Sequence, residues 1–428
     1  MLVQKIMKTT VDTLRFTTAG SVDDGKSTLI GRLLFDTKSI LEDQLLSIEK
    51  TTTKRGGSRV DLSLLTDGLT AEREQGITID VAYRYFTTTT RRFIIADTPG
   101  HEQYTRNMVT GASTADLSVI LVDASKGLQT QSRRHAIIAS LLGIPHVVLA
   151  INKMDLVNYD QAVFNSIRAE FIDFCRTLDF ATLDFIPVSA LEGDMIVDRG
   201  DKLDWYRGPT LLELLETTTA NTQALGEFRF PVQLVARTRL GERAEFRGYM
   251  GRIESGRVSV GDKVVVLPAG TEARIKEIVT YNGSPATAIA PQSVTLLLDR
   301  QVDVSRGDLF ASADELPTVT NQITANLAWL STQELDPSRR YLIKHTTQSV
   351  RVMLEGIDFL LDVNTLERKT GATTFRLNDI GRVRLKTMRP LMVDAYRANR
   401  ITGSFILIDE VTNQTVAGGM ILGETGNV

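Results

Sequence analysis

A glycine-bearing loop that ends in lysine and serine lies near the start of the chain. It consists of Gly20, Ser21, Val22, Asp23, Asp24, Gly25, Lys26, Ser27 and Thr28. The loop fits the pattern G-x-x-x-x-G-K-S and lies between a strand-like run and a helix-like stretch. In such a loop, backbone N–H groups and the helix N-terminus bind phosphate oxygens. Lys26 would place a positive charge at the β- and γ-phosphates, and the Ser27 hydroxyl would bind Mg²⁺.

A second polar cluster ends the apolar run 93–96. It consists of Asp97, Thr98, Pro99 and Gly100. Asp97 can reach the Mg²⁺ shell, most simply through a water molecule, and the Gly100 N–H can meet the γ-phosphate. Together with the glycine-bearing loop, this cluster predicts a nucleoside triphosphate site.

Two further clusters predict that the base is guanine. They end the apolar runs 147–151 and 185–188, and their site residues are Asn152, Lys153, Asp155, Ser189, Ala190 and Leu191. The Asp155 carboxylate can accept both N1–H and N2–H of guanine, and adenine offers no such donor pair. The Ala190 N–H can bond guanine O6. Because the carboxyl ends of parallel strands share one edge of a sheet, all four clusters are expected to meet there, around GTP or GDP.

The pattern of apolar runs predicts three domains. Up to about residue 217, strand-like runs alternate with helix-like stretches, which predicts a mostly parallel sheet with helices on both faces. Residues 81–96 are the exception and predict an antiparallel hairpin at the sheet edge. Farther on, short β-branched runs are separated by Gly, Pro, Asn and Asp, as in small β-barrels. We therefore predict a P-loop GTPase domain at 1–220 and β-barrel domains at 227–317 and 321–428.

Composition excludes several classes of function. The longest apolar runs, such as 147–151, are too short to cross a bilayer, and the first twelve residues lack the apolar core of a secretory signal. We expect a cytoplasmic protein with no membrane partner. Cys175 is the only cysteine, which excludes an internal disulfide and any multi-cysteine metal site. A net charge of −3 gives no general reason to expect nucleic-acid binding.

The segment 71–80 (AEREQGITID), together with DTPGHE at 97–102, closely resembles the translational GTPase superfamily. By that resemblance, Thr78 completes the Mg²⁺ shell in the GTP state. His101 would position the attacking water, so that Lys26, Thr78 and His101 form the catalytic set. Residues 251–264 also resemble the β-barrel that follows the GTPase domain in elongation factors.

Three longer stretches, 65–86, 94–108 and 125–131, resemble one branch of this superfamily, the large GTPase subunit of bacterial sulfate adenylyltransferase. Ser21 and Asp24 also stand where elongation factors usually carry histidine. The resemblance implies that GTP hydrolysis drives the reaction of ATP with sulfate to adenosine 5′-phosphosulfate and pyrophosphate. ATP and sulfate would bind a smaller adenylyl-transferring partner subunit, in a heterodimer or a higher assembly.

The absence of two motifs from the sequence agrees with an adenylyl-transfer site on a separate subunit. The sequence contains neither an S-G-G-x-D-S loop nor an H-x-G-H motif, the marks of adenylyl-transfer sites. It also shows no second phosphate loop after Arg300, so we expect no fused adenylylsulfate kinase.

Two alternatives remain open at this point. A translation elongation factor that carries aminoacyl-tRNA would need a basic RNA-binding surface, but residues 321–428 hold 13 Lys and Arg against 11 Asp and Glu. The strand-like run Arg382, Arg384 and Lys386 puts three cations on one face, either as a solvated surface or as a docking site for an acidic partner. A non-enzymatic module that holds GTP as a static ligand would have no use for both Thr78 and His101.

Overall fold

The computed structural model describes residues 12–40, 43, 62, 80–100, 104–220, 226–238, 246–362 and 365–423. These residues form two compact units, Met1–Ala220 with Val363–Thr365, and Asn221–Asp362 with Leu366–Val428. Across these described stretches, we find no helix whose length and apolar character would let it cross a membrane.

The first unit alternates strands and helices. Its strands are β1 (Thr13–Ala19), β2 (Ala82–Thr87), β3 (Arg92–Asp97), β4 (Leu117–Asp123), β5 (His146–Asn152) and β6 (Thr182–Pro187). Its α-helices are α1 (Lys26–Asp36), α2 (Thr105–Ala112), α3 (Thr130–Leu141), α4 (Gln161–Phe174) and α5 (Leu211–Thr217), and short 3-10 helices cover Met154–Val157 and Cys175–Thr177.

The six strands form one sheet in the order β2-β3-β1-β4-β5-β6. All neighbours are parallel except β2 and β3, which pair antiparallel at the edge of the sheet. Both the parallel sheet and the edge hairpin predicted from the sequence are therefore confirmed.

The centre of this sheet is buried on both faces. All seven residues of β4 are buried, and six of the seven residues of β5. Leu14 and Phe16 of β1 share a buried cluster with α1 and α5, and α2 and α3 contact β1, β3 and β4. Apolar runs without alternation are the expected sequence for strands that helices cover on both sides. The loops at the carboxyl ends of these strands are thus carried by a rigid core.

The second unit contains two closed barrels. The strands of the first are β7 (Arg229–Thr238), β8 (Phe246–Arg252), β10 (Lys263–Leu267), β11 (Thr271–Val279), β13 (Ser293–Leu298) and β14 (Leu309–Ser312), with β9 (Arg257–Ser259) and β12 (Thr287–Ile289) pairing beside it. The strands of the second are β15 (Thr318–Trp329), β16 (Tyr341–His345), β17 (Gln348–Leu361), β19 (Ile380–Val393), β20 (Ser404–Asp409) and β21 (Thr415–Ile421), with β18 (Arg368–Lys369) paired to β17. Pairing of β16 with β17 closes the second ring.

The predicted pair of barrels is confirmed, whereas the domain boundaries at 220, 227, 317 and 321 stay a prediction. Within this unit, the barrels are joined by an ion pair between the buried Arg229 and the half-buried Asp394. Arg229 donates to both carboxylate oxygens of Asp394, at 2.9 and 3.0 Å. A two-point contact of this kind sets the relative orientation of the groups it joins.

The cationic run on β19 has the predicted alternation. Val383 and Leu385 are buried, and Arg384 and Lys386 are exposed. Arg384 donates to Asp358 at 3.0 Å, so part of this positive charge is neutralised within the chain. Docking of an acidic partner on this face stays a prediction.

Candidate nucleotide site

The phosphate loop joins β1 to α1 in a conformation that depends on glycine. Gly25 has φ +91°, and a Cβ at this position would collide with the amide nitrogen of Asn152. Asp23 also adopts a positive φ of 68°. The Ser21 N–H donates to the Asp24 carboxylate at 2.7 Å, which closes the loop on itself. Consecutive main-chain N–H groups of such a loop, followed by a helix N-terminus, form a phosphate cradle.

Two buried charges lie in this loop. Lys26 is buried, and burial lowers the pKa of its ammonium, although Asp97 and the two aspartates of the loop oppose that effect. Burial likewise raises the pKa of the Asp24 carboxyl, against the Ser21 hydrogen bond and the charge of Lys26. A buried ammonium is stabilised when an anion approaches it. The donors and charges of the loop therefore fit a polyphosphate.

The cluster at the end of β3 packs directly onto this loop. Thr18 of β1 donates its hydroxyl to Asp97 at 3.2 Å, and the Thr98 hydroxyl donates to the Thr18 carbonyl at 2.7 Å. A Cβ on Gly100 would collide with the Gly20 carbonyl oxygen and would lie 3.0 Å from the Lys26 ammonium. The turn from Asp97 to Gly100 therefore needs glycine at its last position, because only glycine can approach the phosphate loop this closely.

Two of the three predicted magnesium ligands, Ser27 and Asp97, lie within the described residues. Ser27 lies in the first turn of α1, next to Lys26, and Asp97 is buried at the end of β3. Among the described residues, we find no group of three or more His, Cys, Asp or Glu side chains that could hold a metal ion. Mg²⁺ at nucleotide sites takes few protein ligands and completes its shell with phosphate oxygens and water. A hydroxyl and one carboxylate match that donor set.

A buried asparagine ties the phosphate side of the site to the base side. Asn152, at the end of β5, donates to the Asp24 carbonyl at 2.8 Å. Its own carbonyl oxygen accepts the Ala190 N–H at 2.9 Å. One side chain therefore spans three of the predicted clusters and holds their loops in register.

The carboxylate that is predicted to read the base, that of Asp155, is held in place by a serine. The Ser189 hydroxyl donates to Asp155 at 2.6 Å and accepts the Glu192 N–H at 3.2 Å. Asp155 is half-buried, at the start of the 3-10 helix that follows β5. With one oxygen engaged by Ser189, the carboxylate has a restricted orientation. Such restriction is what discrimination between purine bases requires.

The remaining predicted residues lie on the same loops. Three of them are exposed: Val22 and Asp23 in the phosphate loop, and Leu191 after Ala190. Three are half-buried: Ser27 and Thr28 in α1, and Lys153 after Asn152. Pro99 is buried beside Gly100. Thr78 and His101 lie outside the described residues, and their predicted roles stay predictions.

Two residues that support the site were missed in the sequence. Asp123 accepts a hydrogen bond from the Lys153 ammonium at 2.8 Å and two from Ser125. Burial opposes ionisation of Asp123, but these hydrogen bonds outweigh it and hold the pKa of its carboxyl below the usual range. Its position at the end of β4 is the signal that could have revealed it.

Arg32 is the second missed residue. It lies on α1, and its guanidinium donates to the Leu191 carbonyl at 2.6 Å and to the Ala190 carbonyl at 3.4 Å. Arg32 thereby clamps the loop whose Ala190 N–H is predicted to bond guanine O6. No local sequence signal marks it, because the contact spans more than 150 residues of chain.

Comparison with known proteins supports this assignment. Residues 12–224 match the family model of the elongation factor Tu GTP-binding domain, and residues 322–422 match the GTP-eEF1A C-terminal domain-like family. A solved structure of the S. cerevisiae Ski7 GTPase-like domain, bound to GDP and inorganic phosphate, superimposes with a TM-score of 0.51. It covers 98% of this chain and 99% of that one at 17% identity, which supports the fold alone.

Curated relatives are much more similar in sequence. The chain is 51% identical to sulfate adenylyltransferase subunit 1 of Alteromonas mediterranea, over 96% of this chain and 87% of that protein. It is 54% identical to a bifunctional enzyme CysN/CysC of Mycobacterium tuberculosis, over 96% of this chain and 67% of that protein. The resemblance noted in the sequence is confirmed: the chain belongs to the family of sulfate adenylyltransferase subunit 1, whose GTP-binding domain is of the elongation factor Tu type.

Proposed function

We propose that this chain is the GTP-hydrolysing subunit of a cytoplasmic sulfate adenylyltransferase. It binds GTP with Mg²⁺, and hydrolysis to GDP and phosphate drives the reaction of ATP with sulfate on a smaller partner subunit. The observation that carries the proposal is the hydrogen-bonded unit of Asn152, Ala190, Ser189 and Asp155, which joins the loops predicted to read guanine to the phosphate loop. Membership of the subunit 1 family supports the link to sulfate.

On the base side, selectivity comes from pairing. Asp155 accepts the N1–H and N2–H of guanine. The Ala190 N–H donates to the Asn152 side chain within the chain, and on binding guanine it would exchange that hydrogen bond for one to O6. An adenine base would leave the carboxylate facing a ring nitrogen with no proton, so that both groups lose their water without gaining a hydrogen bond. The site therefore keeps ATP, the co-substrate of the reaction, away from the GTP position.

On the phosphate side, the chain supplies position and charge. The loop N–H groups and Lys26 hold the β- and γ-phosphates, while the Gly100 N–H meets the γ-phosphate. Ser27, Thr78 and Asp97 would hold Mg²⁺, which neutralises charge that develops on the phosphate oxygens. His101 orients the attacking water toward the γ-phosphorus. Catalysis of this kind depends mainly on alignment and on electrostatic stabilisation.

The coupling of GTP hydrolysis to sulfate adenylation has a thermodynamic reason. Adenylation of sulfate forms a reactive phosphate–sulfate anhydride, so the reaction runs uphill when only ATP is consumed. A second phosphoanhydride hydrolysis, tied to the same cycle, supplies the missing driving force. Keeping GTP and ATP on different subunits allows each site to read its own base.

The test uses this chain purified with its native partner subunit. We expect ATP plus sulfate to accelerate GTP hydrolysis, and GTP to raise the yield of adenosine 5′-phosphosulfate. Acceleration by ribosomes instead, with no response to sulfate, would contradict the proposal and favour an elongation factor.

A variant makes this test sharper. Asp155→Asn should change the required nucleotide from GTP to xanthosine triphosphate, because an amide can donate to the 2-oxo group of xanthine. If the variant complex makes adenosine 5′-phosphosulfate with xanthosine triphosphate and not with GTP, then the site on this chain drives the reaction. Equal stimulation by GTP in variant and wild type would show that the coupling nucleotide binds elsewhere.

A further inference from the structure

A glutamine on α3 holds the carbonyl that precedes His101. The amide nitrogen of Gln131 donates to the Gly100 carbonyl oxygen at 2.7 Å. This carbonyl belongs to the peptide bond that joins Gly100 to His101. Since a peptide unit is planar, fixing its oxygen fixes the plane from which the chain continues toward His101.

The Gly100 backbone has little freedom to move away from this bond. Its Cα is packed so closely that a Cβ would collide with the Gly20 carbonyl oxygen, and the Lys26 ammonium lies beside it. The phosphate loop therefore confines Gly100 on one side, and Gln131 holds its carbonyl on another.

The Gln131 side chain is itself held by groups on its own helix. Its amide nitrogen lies 3.3 Å from Nε2 of His135, one turn along α3, and Arg134 donates to its amide oxygen at 3.4 Å. His135 is buried, and burial, with the nearby charges of Lys26 and Arg134, lowers the pKa of its imidazole to about 3. The ring is therefore neutral at physiological pH, and its Nε2 can accept the second amide N–H of Gln131.

We propose that Gln131 is a positioning residue for GTP hydrolysis and that His135 supports it. By holding the Gly100 carbonyl, Gln131 orients the peptide that leads into His101 and so aligns the attacking water with the γ-phosphate. The inference rests on the proposed function, because it assigns Gln131 a role in that same hydrolysis. Gln131 touches neither water nor nucleotide in this scheme and acts through the backbone.

Gln131→Met tests the role, because methionine keeps the length of the side chain and removes both N–H donors. Gln129→Met is the matched control, since Gln129 donates to the Lys126 carbonyl at 2.8 Å. In the two-subunit complex, we expect Gln131→Met to slow single-turnover GTP hydrolysis about 10- to 100-fold, the size expected for a misaligned reactant. The affinities for GTP and GDP should stay within about threefold of the wild-type values, because the substitution removes no contact between the protein and the bound nucleotide. The control should hydrolyse GTP at the wild-type rate.

A transition-state mimic separates positioning from structural support. GDP with aluminium fluoride and Mg²⁺ imitates the phosphoryl group in transfer, so its affinity should fall in Gln131→Met in step with the rate. Affinity for GDP alone should not fall. If Gln131 only supported the fold, the affinities for GDP and for the mimic would fall together, and that result would overturn the proposal.

Two further outcomes distinguish this inference from the proposed function. If Gln131→Met hydrolyses GTP as fast as wild type, the positioning role is wrong and the proposed function stands. If the wild-type complex itself hydrolyses no GTP, both are overturned.

Discussion

The base side and the phosphate side of the nucleotide site are built in different ways. On the base side, polar side chains hold the loops by hydrogen bonds: Asn152 accepts the Ala190 backbone N–H, and the Ser189 hydroxyl donates to Asp155. On the phosphate side, glycine backbone and buried charge dominate. Burial shifts the pKa values of Lys26 and Asp24 away from their usual ranges, in the direction that disfavours their charged forms.

This difference separates two tasks. A base-reading surface has to be rigid before the ligand arrives, because discrimination depends on donors and acceptors that cannot rearrange. A phosphate cradle gains from charges that are poorly solvated, since a poorly solvated ammonium interacts strongly with an approaching anion. We therefore expect changes on the base side to alter which nucleotide binds, and changes on the phosphate side to alter how tightly or how fast it reacts.

The largest effect is expected on the base side. Asp155→Asn should reduce GTP affinity about 10³-fold or more, because a site built around a hydrogen-bond pair rejects a mismatch strongly. It should gain affinity for xanthosine triphosphate. Titration with fluorescent analogues of both nucleotides measures the loss of GTP affinity and the gain of xanthosine triphosphate affinity. Asp160→Asn is the control, since Asp160 only caps α4. Unchanged GTP affinity in Asp155→Asn would show that the base is read elsewhere.

Lys26→Ala should affect all phosphorylated ligands alike. Loss of its charge-assisted hydrogen bonds is expected to weaken both GTP and GDP about 10²-fold and to reduce turnover as well. Calorimetric titration with each nucleotide provides the measurement, and Lys38→Ala, an exposed lysine after the end of α1, is the control. If Lys26→Ala instead changed the relative affinities for guanine and xanthine nucleotides, the division of tasks between the two sides of the site would be wrong.

His101→Ala should slow GTP hydrolysis without weakening GTP binding. We expect hydrolysis to slow about 10²-fold, as for a lost positioned catalytic group, with GTP affinity nearly intact. Single-turnover hydrolysis and equilibrium binding on the same preparation measure the two effects. If affinity falls as much as turnover, His101 has a structural role.

The smallest effect is expected for Ser189→Ala. It removes the hydroxyl that holds Asp155 but leaves the carboxylate in place, so GTP affinity should fall only about fivefold, which corresponds to about 1 kcal/mol, the net contribution of one ordinary hydrogen bond. The ratio of GTP to xanthosine triphosphate affinity measures how far the restriction of Asp155 matters. A loss as large as that of Asp155→Asn would show that Ser189 contacts the base itself.

Motif order and strand patterning were enough to predict the architecture. The strand ends that carry Asp97, Asn152 and Ser189 lie at one edge of the sheet, because parallel strands connected by helices bring their carboxyl ends together. The edge hairpin and the closed barrels also follow from local signals, namely alternation, turn residues and the absence of helical periodicity. Such signals act over a few residues, and a sequence shows them directly.

Contacts between distant segments were decided only by the tertiary structure. The clamp of Arg32 on the Leu191 carbonyl, the ion pair of Lys153 with Asp123, and the hold of Gln131 on Gly100 each join separate elements of the sheet domain. None of them has a local periodicity, because whether two side chains meet depends on helix packing and sheet order. The sequence by itself determined the order and spacing of the motifs that are predicted to bind GTP. The packing of α1 and α3 against the loops determined how firmly those residues are held.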